Sequence, residues 1–258
     1  MILNKKVTSL RVLSVAVAAA VAGLAAPLAA RADITGNIGV YSKYVLRGIT
    51  NNAENDGVAV QGGLDWSHSS GVYLGYWGSN LDYGMTRSST TTVTGFENDI
   101  YGGYGFKAGP VDLSFGLIQY LYTQVADSDG TELVGSAGWG PVKGGFKYLL
   151  KDVAWGNKGD TYLTLDFQHA LPANYEFNAT LGYYLYTDSG EFIPATAENS
   201  GFRHLDLKLS HAIGGGASGA LGKTGFTPHV SLTYVVGGED RQGVKQGNAL
   251  VLAFTTGF

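Results

Sequence analysis

The chain has 258 residues, with 17 Lys and Arg against 21 Asp and Glu, for a net charge of −4. Charged residues make up 15% of it, below the roughly 25% of an ordinary soluble domain, while 39 positions are Gly and 16 are Tyr. This balance excludes a nucleic-acid partner, which would need a basic patch, and the lack of any Cys excludes a disulfide framework and a lipid-anchored lipoprotein.

The opening MILNKKVTSLR carries Lys5, Lys6 and Arg11, and the apolar run VLSVAVAAAVAGLAAPLAA then leads to Ala30, Arg31 and Ala32. A basic start, an apolar middle and a small-x-small triplet are the three parts of a secretory signal. A run of about 20 apolar residues is also long enough for a membrane anchor, but Pro27 breaks it just before the triplet. The sequence therefore predicts a cleaved signal peptide over residues 1–32 and one domain over 33–258. Losing Lys5, Lys6, Arg11 and Arg31, with no acidic residue, takes the net charge from −4 to −8.

From residue 34 onward apolar and polar side chains alternate with period two, as in a strand between two environments. Over 34–49, Ile38, Val40, Tyr44 and Leu46 oppose Asn37, Tyr41, Lys43 and Arg47. Residues 58–68 set Val58, Val60, Leu64 and Trp66 against Gln61, Asp65 and Ser67. FENDIYGGYGF sets Phe96, Ile100, Tyr104 and Phe106 against Glu97 and Asp99. VDLSFGLIQYL sets Val111, Leu113, Phe115 and Leu117 against Asp112 and Ser114. In 142–151, Val142, Phe146, Tyr148 and Leu150 oppose Lys143, Lys147 and Lys151. Leu163, Leu165 and Phe167 follow against Asp166 and Gln168, then Phe177, Leu181, Tyr183 and Leu185 against Glu176, Asn178 and Thr180. Leu205, Leu207 and Leu209 oppose His204, Asp206, Lys208 and Ser210, and Phe226, Val230, Leu232 and Tyr234 oppose His229, Ser231 and Thr233. Segments 72–82 and 132–140 carry aromatic or small residues in both parities and fix no orientation. The last strand, NALVLAFTTGF, sets Leu250, Leu252, Phe254 and Phe258 against Val251, Ala253, Thr255 and Gly257. We expect barrel-assembly machinery to read such a bulky terminal strand as its signal.

These segments predict twelve strands of about ten residues, the length that crosses a bilayer when tilted. Connections alternate between long (50–57, 83–95, 123–131, 151–160, 187–201) and short (69–71, 107–110, 140–141, 170–174), with the Gly-rich 214–225 as the exception. The predicted fold is all-β: an antiparallel up-and-down transmembrane β-barrel with short periplasmic turns and longer extracellular loops. A soluble β-sandwich or ligand-binding barrel alternates too, with its apolar face turned inward. Strict short and long connections, and aromatics near strand ends such as Trp66, Tyr148 and Tyr183, favour the membrane form.

Within residues 36–106, NIGVYSKYVLRGIT, AVQGGLDWSHSSGVYLGYWGSNLDYG and FENDIYGGYGF resemble the N-terminal signature of the TorF family, porin-like outer-membrane proteins of proteobacteria. Arg47-Gly48, Gln61-Gly62-Gly63 and Trp77 to Asn80 carry the resemblance. It implies a channel-like barrel in the outer membrane and brings no substrate or catalytic residue with it.

With the apolar parity facing lipid, the charges fall inward, Glu132 among them, where they avoid the roughly 2–4 kcal/mol that Lys or Arg costs at the bilayer midplane. Only Arg203 lies on the lipid parity. The expected lumen-lining residues are Lys43, Arg47, Glu97, Asp99, Lys147, Lys151, Asp206 and Lys208, with Lys43 and Arg47 facing Lys147 and Lys151 across the ring. The sequence thus predicts a porin for small polar solutes; a structural or adhesive barrel with an occluded lumen is the alternative. An outer-membrane lipase is a distant third, because His68 and Ser70 sit at a polar turn that explains them. Asp127 to Glu132 read as an acidic extracellular turn and the His residues are scattered, so no metal or cofactor is expected. The expected partners are outer-membrane lipid and lipopolysaccharide, the assembly machinery and small polar solutes.

Overall fold

The computed structural model describes residues 32–88, 91–213 and 226–258; the signal segment and the Gly-rich connection 214–225 lie outside the described residues, apart from Ala32. Among the described residues run twelve strands: β1 (Ala32–Tyr41), β2 (Ala59–His68), β3 (Val72–Ser88), β4 (Thr91–Ala108), β5 (Val111–Thr123), β6 (Gly130–Trp139), β7 (Val142–Leu149), β8 (Thr161–Leu171), β9 (Tyr175–Leu185), β10 (Ser200–Ala212), β11 (Thr227–Gly237) and β12 (Ala249–Gly257). Each pairs antiparallel with its sequence neighbours, and β1 pairs with β12 to close the barrel. Closure leaves no sheet edge unpaired, as a strand protein in hydrocarbon requires.

The apolar parity faces outward. Val60, Leu64, Phe115, Leu117, Leu165, Leu232 and Leu252 all stand exposed on the wall. Opposite them, Tyr101 donates to Asp65 at 2.6 Å, Ser114 bonds Ser136 at 2.8 Å and Thr180 donates to Asp166 at 2.7 Å across the inner surface. An apolar exterior around a polar interior is the reverse of a soluble barrel or sandwich and defines the membrane form. The two undetermined segments obey the same rule. Val72, Leu74 and Tyr76 of β3 and Leu133 and Trp139 of β6 are exposed, while Leu81 and Glu132 are buried.

Glycine makes room for inward tyrosines. Gly75 stands beside the Tyr101 ring, which would approach an added Cβ within 2.2 Å, well inside contact distance. At the tight turns, Gly109 (φ 60°) and Gly140 (φ 58°) each precede Pro in a two-residue hairpin loop, the left-handed first position that a type II′ turn assigns to Gly.

Three expectations are corrected. The first strand, predicted over 34–49, leaves the sheet after Tyr41, and Arg47 (φ 47°) and Gly48 (φ 71°) beyond it are left-handed, outside the extended region of a strand. Of the long loop expected at 83–95, residues 83–88 continue β3 and residues 91–95 begin β4, with Asp82 opposite Thr94 and Ser88 opposite Thr91. Arg203 does not face lipid. A bulge shifts the β9–β10 register between Phe202 and His204, so Phe202 stays outside while Arg203 turns in, 2% exposed, and donates to the Glu239 carbonyl at 2.9 Å.

The last residue lengthens the seam between β1 and β12. Gly36 and Phe258 exchange backbone hydrogen bonds of 2.9 Å, and the Phe258 ring lies 5.7 Å from Phe226. Phe258→Asp is expected to lower the fraction of closed barrel, measured as the band whose gel mobility changes on boiling. An unchanged fraction would show that the seam closes without the ring.

Candidate functional site

The segment 42–58, between β1 and β2, folds into the barrel. Tyr44 and Asn55 form a backbone bridge within it, and the Asp82 amide of β3 donates to the Glu54 carbonyl at 2.9 Å. Gly48 lies against β10, where an added Cβ would come within 2.4 Å of the His204 Cβ. Thr50 donates to the Gly247 carbonyl at 2.6 Å, and Asn51 bonds Lys245 and Gly247, tying the segment to the loop between β11 and β12.

This route carries Arg47 to the far wall. Its Nη1 and Nη2 bond the Glu132 carboxylate of β6 at 2.9 and 2.7 Å in a two-pronged pair, and Nη1 also reaches the Tyr184 hydroxyl of β9 at 2.6 Å. The Tyr120 hydroxyl of β5 donates to Glu132 at 2.8 Å. Aromatic rings surround the guanidinium: its carbon lies 4.9 Å from the centre of Tyr162, 5.7 Å from Trp155 and 6.0 Å from Tyr184. The two side chains are only 7% and 2% exposed, so the lumen at this level is packed. Burial alone would lower the Arg47 pKa, but the adjoining Glu132 charge overrides it and holds the group well above its ordinary value.

Neighbouring polar groups complete the layer. Glu97 accepts from the Tyr44 and Tyr122 hydroxyls at 3.0 Å each and is 1% exposed. Tyr162 bonds His204 Nε2 at 2.6 Å, and His204 Nδ1 bonds Asp206 at 2.8 Å. Above, Arg241 pairs with Asp160 and covers the Tyr186 ring at 4.9 Å, while Asn157 donates to the carbonyls of Thr187 and Ile193. Those contacts bind three long loops into one cap. Toward the short-turn end the lumen widens into a cavity of about 620 Å³ lined in part by Glu176, Lys208, Ser210, His229 and Ser231.

Of the eight residues expected to line the lumen, Arg47, Glu97, Asp99, Lys147, Asp206 and Lys208 are on the inner side, but Arg47 arrives from a loop. Arg47 does not face Lys147 across a gap; it has crossed the lumen, and both bond the Tyr120 hydroxyl, at 3.3 and 3.2 Å. Lys43 pairs with Asp56 of its own segment at 2.7 Å. Lys151 is exposed in the loop after β7. Leu250, Leu252, Phe254 and Phe258 stand exposed along the closing strand. His68 and Ser70 bond each other at 2.7 Å in the exposed β2–β3 turn.

Sequence reading missed the cage of Tyr120, Tyr162, Tyr184 and Trp155. One signal was present: the three tyrosines occupy the parity of Asp112, Asp166 and Glu176, where a solvated lumen needs no aromatic. Glu132, read both as an inward charge and as the end of an acidic turn, belongs to β6 and the lumen.

The closed wall, polar interior and inward segment define a transmembrane β-barrel. The chain belongs to the family described as "Bacterial protein of unknown function (Gcw_chp)", whose model matches residues 25–197; that description does not carry the TorF name. No curated protein matches the chain. Among solved structures it is similar to the KdgM porin, with TM-score 0.52 and 9% identity over 87% of this chain and 98% of that one. It is also similar to the COG4313 outer membrane channel from Pseudomonas putida F1, with TM-score 0.49 and 8% identity over 87% and 94% of the two chains. At such identity the likeness to the KdgM porin is one of fold alone.

Two substitutions probe the packed layer. Arg47→Ala strands a buried carboxylate and is expected to cost about 3–5 kcal/mol, while Arg47→Ala with Glu132→Gln together should cost less than the two single changes summed. Gly48→Ala forces a Cβ onto His204 from a left-handed backbone and should cost about 1–3 kcal/mol. Urea unfolding of the barrel in lipid checks both; additive single and double variants would mean that the pair is not coupled.

Proposed function

We propose that the protein is an outer-membrane, porin-like channel for the passive diffusion of small polar solutes, resting with its upper lumen closed by the segment 42–58. The observation that carries this reading is the inward segment itself. A purely structural barrel needs no loop laid across its lumen through an ion pair and hydroxyl contacts that a solute or water could replace. The polar cavity beneath adds an entrance from the short-turn end. The TorF resemblance over residues 36–106 implies the same channel-like barrel. Export through a cleaved signal at 1–32, contact with outer-membrane lipid and lipopolysaccharide, and reading of the Phe258 strand by the assembly machinery are parts of the same proposal.

One observation favours the alternative, a structural or adhesive barrel with an occluded lumen: the Arg47 and Glu132 side chains are almost wholly removed from solvent. Planar-bilayer recording separates the two. The channel reading expects brief, small openings for the wild type, with a severalfold larger open probability and a shift toward cation selectivity for Arg47→Ala, since a lumen cation is lost. Silence of both proteins would establish the occluded barrel instead.

A further inference from the structure

We infer that the pocket filled by Arg47 is a binding site for small solutes bearing a guanidinium or amidinium group, and that Arg47 occupies it as the chain's own stand-in. The inference rests on the channel reading for the solute's route, but not for the binding. Glu132 presents one carboxylate oxygen to each of the two Nη groups, the two-pronged pairing that distinguishes guanidinium from a point-charge ammonium. Tyr184 adds an oxygen 2.6 Å from Nη1, and the Tyr162 ring lies 4.9 Å from the guanidinium carbon. Among the described residues Arg47 Nε, by contrast, has no hydrogen-bond partner. The pocket therefore recognises the terminal amidinium edge and its flat face, which any solute ending in that group presents.

The Glu132 carboxylate attracts such a cation. Once Arg47 is withdrawn it loses its two-pronged partner and keeps, among the described residues, only the Tyr120 hydroxyl, with the Glu97 and Asp99 carboxyl groups and Lys147 on the same wall. The segment that delivers Arg47 keeps its own anchors at Thr50, Asn51 and Lys43, none of them in the pocket. A solute can thus displace the side chain without dismantling the loop.

The test is thermal denaturation of the detergent-purified Arg47→Ala barrel, followed by gel mobility, with methylguanidinium, methylammonium or sodium chloride added. The expected result is a midpoint several degrees below wild type that recovers in millimolar methylguanidinium, less in methylammonium and not in sodium. Arg47→Ala combined with Glu132→Gln should lose the recovery. No recovery, or equal recovery in the double variant, overturns the site. Should Arg47→Ala not assemble, refolding with methylguanidinium must restore the folded band, and failure there counts equally against it. Bilayer recordings keep the two readings apart. Recovery without conductance in any variant sinks the channel and leaves the site, whereas conductance with no methylguanidinium effect on the current or the midpoint sinks the site and leaves the channel.

Discussion

A guanidinium taken out of water must recover its hydrogen bonds from the protein, and inside this barrel Glu132 and the hydroxyls of Tyr120 and Tyr184 supply them to both Nη groups of Arg47. The demands of that pair shape the whole long-loop end. Strand β1 must release the chain after Tyr41, the backbone must turn left-handed at Arg47 and Gly48, and position 48 must lack a Cβ because His204 fills the space. His204 is itself held between Tyr162 and Asp206, so the segment rests on an oriented surface. From there Thr50 and Asn51 meet the loop before β12, and Trp155 covers the guanidinium from the loop after β7 while donating to the Ser128 carbonyl at 2.8 Å.

The wall below follows a simpler rule. Hydrocarbon outside and polar groups inside leave each strand little freedom beyond alternation, and the bulge at Arg203 is the device that lets one basic residue escape the lipid parity. Without the extra residue, Phe202 would turn inward or Arg203 outward. The inner surface is further filled by tyrosines resting on glycines, as Tyr101 does on Gly75. This explains why a chain with so little charge carries so many of both.

Strands with a wholly apolar outer face and a mainly polar inner one were legible from sequence, as β9 and β11 illustrate, because contact with lipid tolerates no other outer face. Segments 72–82 and 132–140 were not, since a Trp, Tyr or Gly fits either face and only the pairing with β2, β4, β5 and β7 decides. The first strand was read too long because Tyr44 and Leu46 happen to extend its parity, and a left-handed Arg leaves no mark in a sequence. Arg47 and Glu132 were each visible as inward charges. Their meeting was not, because it depends on a loop crossing a ring from β1 to β6, a contact that no local pattern encodes.

The central claim is that the segment 42–58 lies in the lumen and limits passage. The chain has no native Cys, and a Cβ added at Gly247 would lie 3.9 Å from Thr50 Oγ1, so Thr50→Cys with Gly247→Cys offers a clean lock. The measurement is bilayer conductance of that double variant before and after reduction. The account predicts that a bridge forms, seen by gel mobility without reductant, that the oxidised barrel stays closed, and that reduction restores the openings of the unbridged protein. Thiols that remain free under oxidation, or an oxidised barrel that conducts as fully as the reduced one, would contradict it.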